Sequence, residues 1–329
     1  AGVYQTIQDN KQWVKFGVSP FRIWTMDPQV AASYGLTLPQ GITGMDAYKT
    51  IYADPIAWLN AGTVDYISPQ VYWPTTSAGQ DYKKLAPWWS DVANRYNRHL
   101  YVSHSLSSLD ESDYPPPVAL KSAYSSFLNT ELNGLSMLEY FSQLTAEKAD
   151  VAFDASEVGL QIQWNRLSDK NQAPGSVFFR ASNLFVKGFM NYLRSNEFAS
   201  KALTPVISWE EKQERDLPFN LHIENEQLVW ESHEENVRYA VYAFPELLAD
   251  QPGLFDDALY LLGISYSTEF NLSDQAHLLS GHSFAVSVLD RNGNEFPPVV
   301  MSSQKNENHP VVLLYPDNEG DVYHDFTFW

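Results

Sequence analysis

The segment Val64-Asp65-Tyr66-Ile67-Ser68-Pro69-Gln70-Val71-Tyr72-Trp73 begins as a buried strand and ends as a polar, aromatic edge. Its β-branched and aromatic residues favour a strand, and Pro69, which cannot donate to a ladder, predicts where that strand ends. An amide, a phenol and an indole follow, in Gln70, Tyr72 and Trp73. Such side chains suit sugar binding, because aromatic faces cover a pyranose and an amide pairs with its hydroxyls. Packing beneath a helix explains them equally well, so this segment alone leaves both interpretations open.

Short strand patterns recur on both sides of this segment, and helix-like sequence separates them. Residues 27–45 predict a long loop without a period, and residues 118–150 predict an irregular helical insertion. This alternation predicts parallel strands with helical crossovers, hence an α/β layer or barrel. The predicted strands are residues 14–21, 64–73, 100–106 and 176–181, and the predicted helices are residues 3–13, 45–59, 81–96, 156–167 and 184–198.

Ligands of such folds bind at the carboxyl ends of the strands. Tyr72 and Trp73 follow the strand-ending proline, which favours a stacking platform over a core position. His104 is predicted to bind a sugar hydroxyl or to tune a neighbouring carboxylate, or else to be a satisfied structural histidine. Arg180 either points into the cleft or pairs with a loop acid. The candidate substrate-binding residues are Ser19, Arg22, Gln70, Tyr72, Trp73, His104 and Arg180.

From about residue 210 the sequence changes to short strand patterns separated by polar turns. This regular spacing predicts an all-β sandwich over residues 217–298. Residues 310–329 predict the opening of a further β module, left incomplete. The chain begins without Met and ends inside a strand pattern, so we expect both ends to be cuts in a longer protein. The predicted strands are residues 221–223, 227–230, 238–244, 259–264, 267–272 and 283–290.

Composition restricts the classes of partner. The 329 residues carry a formal net charge of −19, which argues against nucleic acid and against an anionic membrane surface. The absence of Cys excludes disulfides, thiolate metal sites and Cys nucleophiles. The 8 His residues are scattered without ligand spacing, so neither a metal nor another cofactor is expected. No segment reads as a signal peptide or as a membrane span.

Several short sequence segments resemble those of a known family. They are residues 13–21, 52–54, 65–73, 82–89, 100–104 and 175–179. In this order and spacing they make residues 1–209 resemble the C-terminal half of the bacterial glycosyl-hydrolase-like family ten. Residues 217–298 resemble a fibronectin type III module, through the phrases at 228–230, 239–242 and 284–291.

The first resemblance implies an α/β fold that forms about strands five to eight of a (β/α)8 TIM-type barrel. It also implies an exported glycoside hydrolase, secreted, periplasmic or at the cell surface, that acts on polysaccharide or peptidoglycan glycan strands. It favours a cleft position for His104. The family usually has glycine where this chain has Arg22, so Arg22 either contacts an anionic sugar substituent or reshapes the loop.

A glycosidase needs two carboxyl groups facing the scissile bond, and the strand ends of this sequence supply none. Asp65 lies at the wrong end of its strand, and Asp54 is predicted to cap or pair. We therefore expect the catalytic carboxylates in a missing N-terminal half, with this fragment inactive and prone to aggregate or dimerise. The alternative is a non-catalytic carbohydrate-binding or cell-surface scaffold protein. The loop acids predicted to be solvated are Asp27, Asp110, Glu111 and Asp113.

Overall fold

The computed structural model describes residues 2–107, 109, 155–170, 174–186, 188–249, 251 and 253–301, and the backbone of 311–312. The predicted loop acids at 110–113 and the predicted insertion at 118–150 lie outside these residues. The chain divides into two compact units, Ala1–Ala199 and Ser200–Trp329. The boundary therefore falls ten residues before the end predicted for the first domain, at 209.

A parallel sheet of four strands forms the centre of the first unit, as predicted. The strands follow the order of the sequence across the sheet: β1 Gly17–Val18, β2 Tyr66–Ile67, β3 His99–Ser105 and β4 Gly175–Phe179. Single bridges extend the pairing beyond the two shortest strands, joining Phe21 to Gln70 and Gln70 to Ser103. All four carboxyl ends consequently meet along one edge of the sheet.

Helices cover one face of this sheet. The longest described ones are α5 Tyr82–Arg95 and α6 Ala155–Ser168. Trp89 of α5 and Trp164 of α6 pack with Leu100 and Val102 of β3 in one buried core. Before them lie α1 Gly2–Lys11, α2 Pro28–Ser33, α3 Ala47–Ile51 and α4 Pro55–Asn60, and after β4 come a 3₁₀ turn Ala181–Phe185 and α7 Phe189–Ser195.

Aspartate caps explain where the sequence prediction was too coarse. Asp27 accepts a hydrogen bond from the Gln29 amide, so α2 forms inside the segment predicted as a loop. Asp46 and Asp54 cap α3 and α4 separately, which divides the predicted helix at 45–59 into two. The capping role predicted for Asp54 is confirmed, and its carboxylate also accepts from the Trp24 indole at 3.1 Å. A side-chain oxygen at this position satisfies an amide that the first helical turn leaves free.

The other face of the sheet carries tyrosines and serines, because successive side chains of a strand alternate between faces. Tyr66 and Tyr101 have ring centroids 4.8 Å apart, and Ser68 and Ser103 hydroxyls lie 2.7 Å apart. Glycine is needed at the start of β4, since a Cβ on Gly175 would lie 2.2 Å from the Tyr101 ring. We call this surface the tyrosine–serine face.

The second unit consists of two antiparallel sheets, in agreement with the predicted change to an all-β pattern. Trp230 of one sheet and Val241 and Val286 of the other belong to a single buried core. Val311–Val312, at the start of the predicted further module, pairs with Val299–Val300. The three-stranded sheet contains Phe219–Glu224, Gln227–Glu231 and Glu269–Asn271, and the five-stranded sheet contains Arg238–Pro245, Leu261–Ser265, His282–Leu289, Val299–Val300 and Val311–Val312.

None of the helices in the described segments is long and apolar enough to cross a membrane.

Candidate functional site

The carboxyl edge of the parallel sheet brings together aromatic, amide and guanidinium groups. Arg22 follows β1, and its guanidinium carbon lies 3.3 Å from the centroid of a Trp73 ring. Tyr72 stacks on Phe179 at the end of β4, with centroids 5.8 Å apart and planes at 20°. Gln70 donates from Nε2 to the Ser19 carbonyl at 3.1 Å. We call this group the strand-end edge.

The polar groups of the strand-end edge remain available to a ligand. Tyr72, Trp73 and Gln70 are half-buried, and Ser19 is exposed. Burial raises the pKa of Tyr72, so its phenol is protonated at neutral pH and can donate a hydrogen bond. A half-buried ring beside an amide and a hydroxyl is chemically suited to the mixed apolar and polar surface of a sugar.

Helix α6 holds the Trp73 segment in place. Gln161 donates from Nε2 to the Trp73 carbonyl at 3.2 Å and to Glu157 at 2.8 Å. Glu157 in turn accepts from the Thr75 amide at 2.7 Å and from its hydroxyl at 2.9 Å. Both α6 side chains are fully buried. The backbone from Trp73 to Thr75 is therefore anchored by two fully buried side chains of α6.

His104 does not lie on the strand-end edge. It is fully buried on the helix-covered face, where its ring stacks against Tyr82 and Phe178. Its Nδ1 faces Gln161 Oε1 at 2.9 Å, and its Nε2 faces the Ser176 hydroxyl at 3.0 Å. This placement favours the structural interpretation of His104 and puts it behind Gln161.

The hydrogen bonds of Gln161 assign the tautomer of His104. Because Gln161 uses Nε2 as donor toward Trp73 and Glu157, its Oε1 is the atom that faces the histidine. An amide oxygen only accepts, so His104 carries its proton on Nδ1 and accepts at Nε2. Burial lowers the pKa of His104 to about 4, which keeps the ring neutral at physiological pH.

Arg180 follows β4 and is exposed. Three of the four predicted loop acids, Asp110, Glu111 and Asp113, lie outside the described residues, so the pairing of Arg180 with a loop acid stays a prediction. Its assignment to the cleft stays a prediction.

Sequence reasoning missed several residues of the site. Phe179 gives Tyr72 its stacking partner, and Gln161 and Glu157 support the Trp73 segment. One signal was present in the sequence: Glu157, Gln161 and Asn165 follow one another at intervals of four residues along the helix. Polar residues at this spacing on a buried helix indicate a buried network.

Comparisons with known proteins match the part of the chain that contains most of the strand-end edge. Residues 1–115 match the family described as Glycosyl hydrolase-like 10. This match includes β1, β2, β3 and helix α5, with the strand-end residues Arg22, Gln70 and Trp73 among them.

Two curated relatives are similar over this segment. Glycosyl hydrolase YngK of Bacillus subtilis strain 168 is 34% identical over 114 residues, which are 35% of this chain and 21% of that protein. Glycosyl hydrolase DigH of Escherichia coli strain K12 is 36% identical over 114 residues, which are 34% of this chain and 24% of that protein. The aligned part of the chain thus spans only about a fifth to a quarter of these relatives.

Proposed function

We propose that this chain is part of a glycoside hydrolase that acts on polysaccharide or peptidoglycan glycan strands, and that its strand-end edge binds the sugar. The observation that carries the proposal is the position of Tyr72, Trp73 and Gln70 at one sheet edge, inside the segment that matches the family. The same proposal places the protein outside the cytoplasm, as a secreted, periplasmic or cell-surface protein.

The described acids support a position for the catalytic carboxylates elsewhere in the protein. In residues 2–107 and 155–199, Asp27, Asp46, Asp54 and Asp81 cap helices. Glu157 binds Thr75, two residues after Trp73. It is fully buried and already accepts three hydrogen bonds. A catalytic pair must face the scissile bond from both sides, and caps and buried anchors do not suit that role.

The architecture of the longer protein belongs to the proposal as well. Four parallel strands with helices on one face are consistent with half of a (β/α)8 barrel, whose inner wall would be the tyrosine–serine face. In the second unit, a three-stranded and a five-stranded antiparallel sheet around one core are consistent with a fibronectin type III-like module.

Binding and hydrolysis are tested separately on the 329-residue chain. The chain is titrated with the neutral tetrasaccharide of N-acetylglucosamine, and its affinity is compared with that of Trp73→Ala. Loss of one stacking aromatic is expected to weaken binding about three- to tenfold. The matched control is Tyr266→Ala in the second unit, whose ring is 80% exposed and whose loss should leave the affinity unchanged.

Two results would overturn parts of the proposal. Equal affinities of the chain and Trp73→Ala would remove the strand-end edge as the sugar site. Release of reducing ends from glycan strands by the chain itself would show that its own residues supply the catalytic carboxylates.

The alternative is a non-catalytic carbohydrate-binding or scaffold protein. It is favoured by the engagement of Asp27, Asp46, Asp54 and Asp81 in helix caps and of Glu157 in buried hydrogen bonds. Carboxylates at the end of the fourth strand of the longer protein would favour the enzyme, and apolar residues there would favour the binding protein.

A further inference from the structure

Arg22 is a buried cation without a counterion among the described residues. It is 9% exposed, and its Nε atom is buried without a hydrogen-bond partner. None of the ion pairs among the described side chains includes it. Burial lowers the pKa of Arg22 to about 10, so the group is still charged at neutral pH. Burying a charge without a partner is unfavourable, even though this chain has a net charge of −19 and many acids.

Among the described residues, the contacts that hold Arg22 leave its N–H donors without an acceptor and available to a ligand. The Trp73 ring attracts the guanidinium through its π face, at 3.3 Å. The Arg22 carbonyl accepts from the Trp89 indole at 2.8 Å, which fixes the backbone. An aromatic face offers no lone pair to the N–H groups, which form a planar fork suited to two oxygens of one carboxylate.

Arg22 also lines a pocket of about 260 Å³. This is somewhat less than the roughly 300–1,000 Å³ typical of pockets for drug-sized ligands, and it suits a single sugar unit. Apolar walls come from Trp24, Ile42 and Trp88, while Thr25 and Gln40 add polar groups.

A second unsatisfied group lies beside Arg22. Gln80 Oε1 is buried, and none of the described residues donates a hydrogen bond to it. Gln80 Nε2 and Arg22 Nη2 lie 3.4 Å and 3.7 Å from the point where a Cβ would stand on Gly44. The Ile23 Cδ1 methyl lies closer still to this point, at 2.9 Å, so a glycine at position 44 lets the amide and the guanidinium approach each other across its backbone. A carboxylate would satisfy the guanidinium, and a hydroxyl would satisfy Gln80 Oε1.

We infer that Arg22 and its pocket form a subsite for a carboxylate-bearing sugar, in which the guanidinium pairs with the carboxylate. The inference rests on the proposed glycan-binding function and names the class of sugar that the edge selects. Arg22 is thus a specificity-determining residue, and the Trp73 ring holds its guanidinium in place.

The first test observes Arg22 itself. The Nε–Hε signal of Arg22, assigned by its loss in Arg22→Met, is followed by NMR while the chain is titrated with sodium glucuronate or with glucose. Glucuronate should shift this signal, because the carboxylate reaches the guanidinium, and glucose should not. Absence of a shift with glucuronate, or equal shifts with both sugars, would overturn the subsite.

The second test measures preference for the charge. Affinities are compared for the hyaluronan tetrasaccharide and for the same tetrasaccharide with its carboxyls reduced to alcohols. We expect the chain to bind the charged form about tenfold tighter. Arg22→Met should remove this preference, and Arg22→Lys, which keeps the charge but not the fork, should retain part of it. Arg194→Met, an exposed arginine in α7, controls for the change in net charge.

The two tests separate the inference from the proposed function. Equal binding of both tetrasaccharides, or a preference that survives Arg22→Met, would overturn the subsite while glycan binding stands. A glucuronate shift without binding of either tetrasaccharide would leave an anion subsite and refute the glycan-binding edge. If glucuronate causes no shift and neither tetrasaccharide binds, both the subsite and the glycan-binding edge are refuted.

Discussion

The buried position of His104 predicts a specific dependence of stability on pH. Its folded-state pKa is about 4, below the ordinary value of 6.5, mainly because burial disfavours the charged ring. Below pH 6.5 the unfolded chain takes up a proton that the folded chain resists until about pH 4. The free energy of unfolding should therefore fall as the pH falls through this window, and it should be fully developed above pH 6.5.

The size of this effect follows from the separation of the two pKa values. Linkage between 6.5 and about 4 gives a loss of roughly 2–3 kcal/mol by pH 4.5. His104→Asn removes the titrating ring but retains a donor and an acceptor for this position. The variant should be less stable at pH 7, because it loses contact with Tyr82 and Phe178, but its stability should depend less on pH.

Hydrogen exchange of the β3 peptide, residues 99–105, measures the opening free energy of the first unit directly. Measurements between about pH 4.5 and 7.5 on the chain, on His104→Asn and on His277→Asn give three slopes for comparison. His277 is exposed in the second unit, so its replacement should leave the β3 slope unchanged. Equal slopes for the chain and His104→Asn would refute the reasoning, whatever other groups contribute to both.

Three further changes test the two cores. Glu197→Ala leaves Arg166 largely buried without its partner at 3.2 Å, and should lower the free energy of unfolding in urea by about 3 kcal/mol. Glu197→Gln should lower it less, and equal losses for the two variants would contradict the charge argument. Trp89→Ala opens a cavity in a fully buried site and removes the hydrogen bond to the Arg22 carbonyl, with an expected loss of about 3–5 kcal/mol by the same assay. Burial raises the pKa of Glu295 above its ordinary value of 4.5, so the free energy of unfolding of the second unit should fall as the pH rises above 4.5. Glu295→Gln should abolish this fall, and hydrogen exchange of the 282–289 peptide measures it.

The regular parts of the fold were predictable because local signals agree with the packing. Asp81 caps α5, and its apolar residues recur at helical spacing, so the predicted helix at 81–96 was confirmed within one residue at each end. The strand at 14–21 was predicted too long. Pro20 and Pro69 lack amide protons, so the ladder between β1 and β2 spans two residue pairs and resumes as the single bridge from Phe21 to Gln70.

The helix at 28–33 was missed although its signal was present. Asp27-Pro28 combines a capping carboxylate with a proline at the first helical position, which is a typical helix start. The glycines and prolines across residues 27–45 favour a loop and outweigh this short signal. Short helices are poorly detected by periodicity, because six residues supply fewer than two turns of pattern.

The position of His104 could also have been derived from the sequence. Leu100, Val102, His104 and Leu106 alternate along β3, so a period of two places the histidine with the apolar side chains of the core. The contact between Thr75 and Glu157 could not have been derived from the sequence, because it joins residues 82 positions apart. Only the packing of α6 against the loop after β2 brings these groups together.

Buried residues on the helix-covered face of the sheet support the strand-end edge. The carbonyl of Trp73, the residue proposed to stack on the sugar, accepts from Gln161, and Gln161 is held in turn by His104 and Glu157. Each of these three side chains is fully buried, so their hydrogen bonds keep most of their strength and cannot be replaced by water. His104 therefore acts on the site as a positioning residue through Gln161. The family resemblance favoured a cleft position for His104, whereas the structure connects it through Gln161 to the Trp73 carbonyl by two hydrogen bonds.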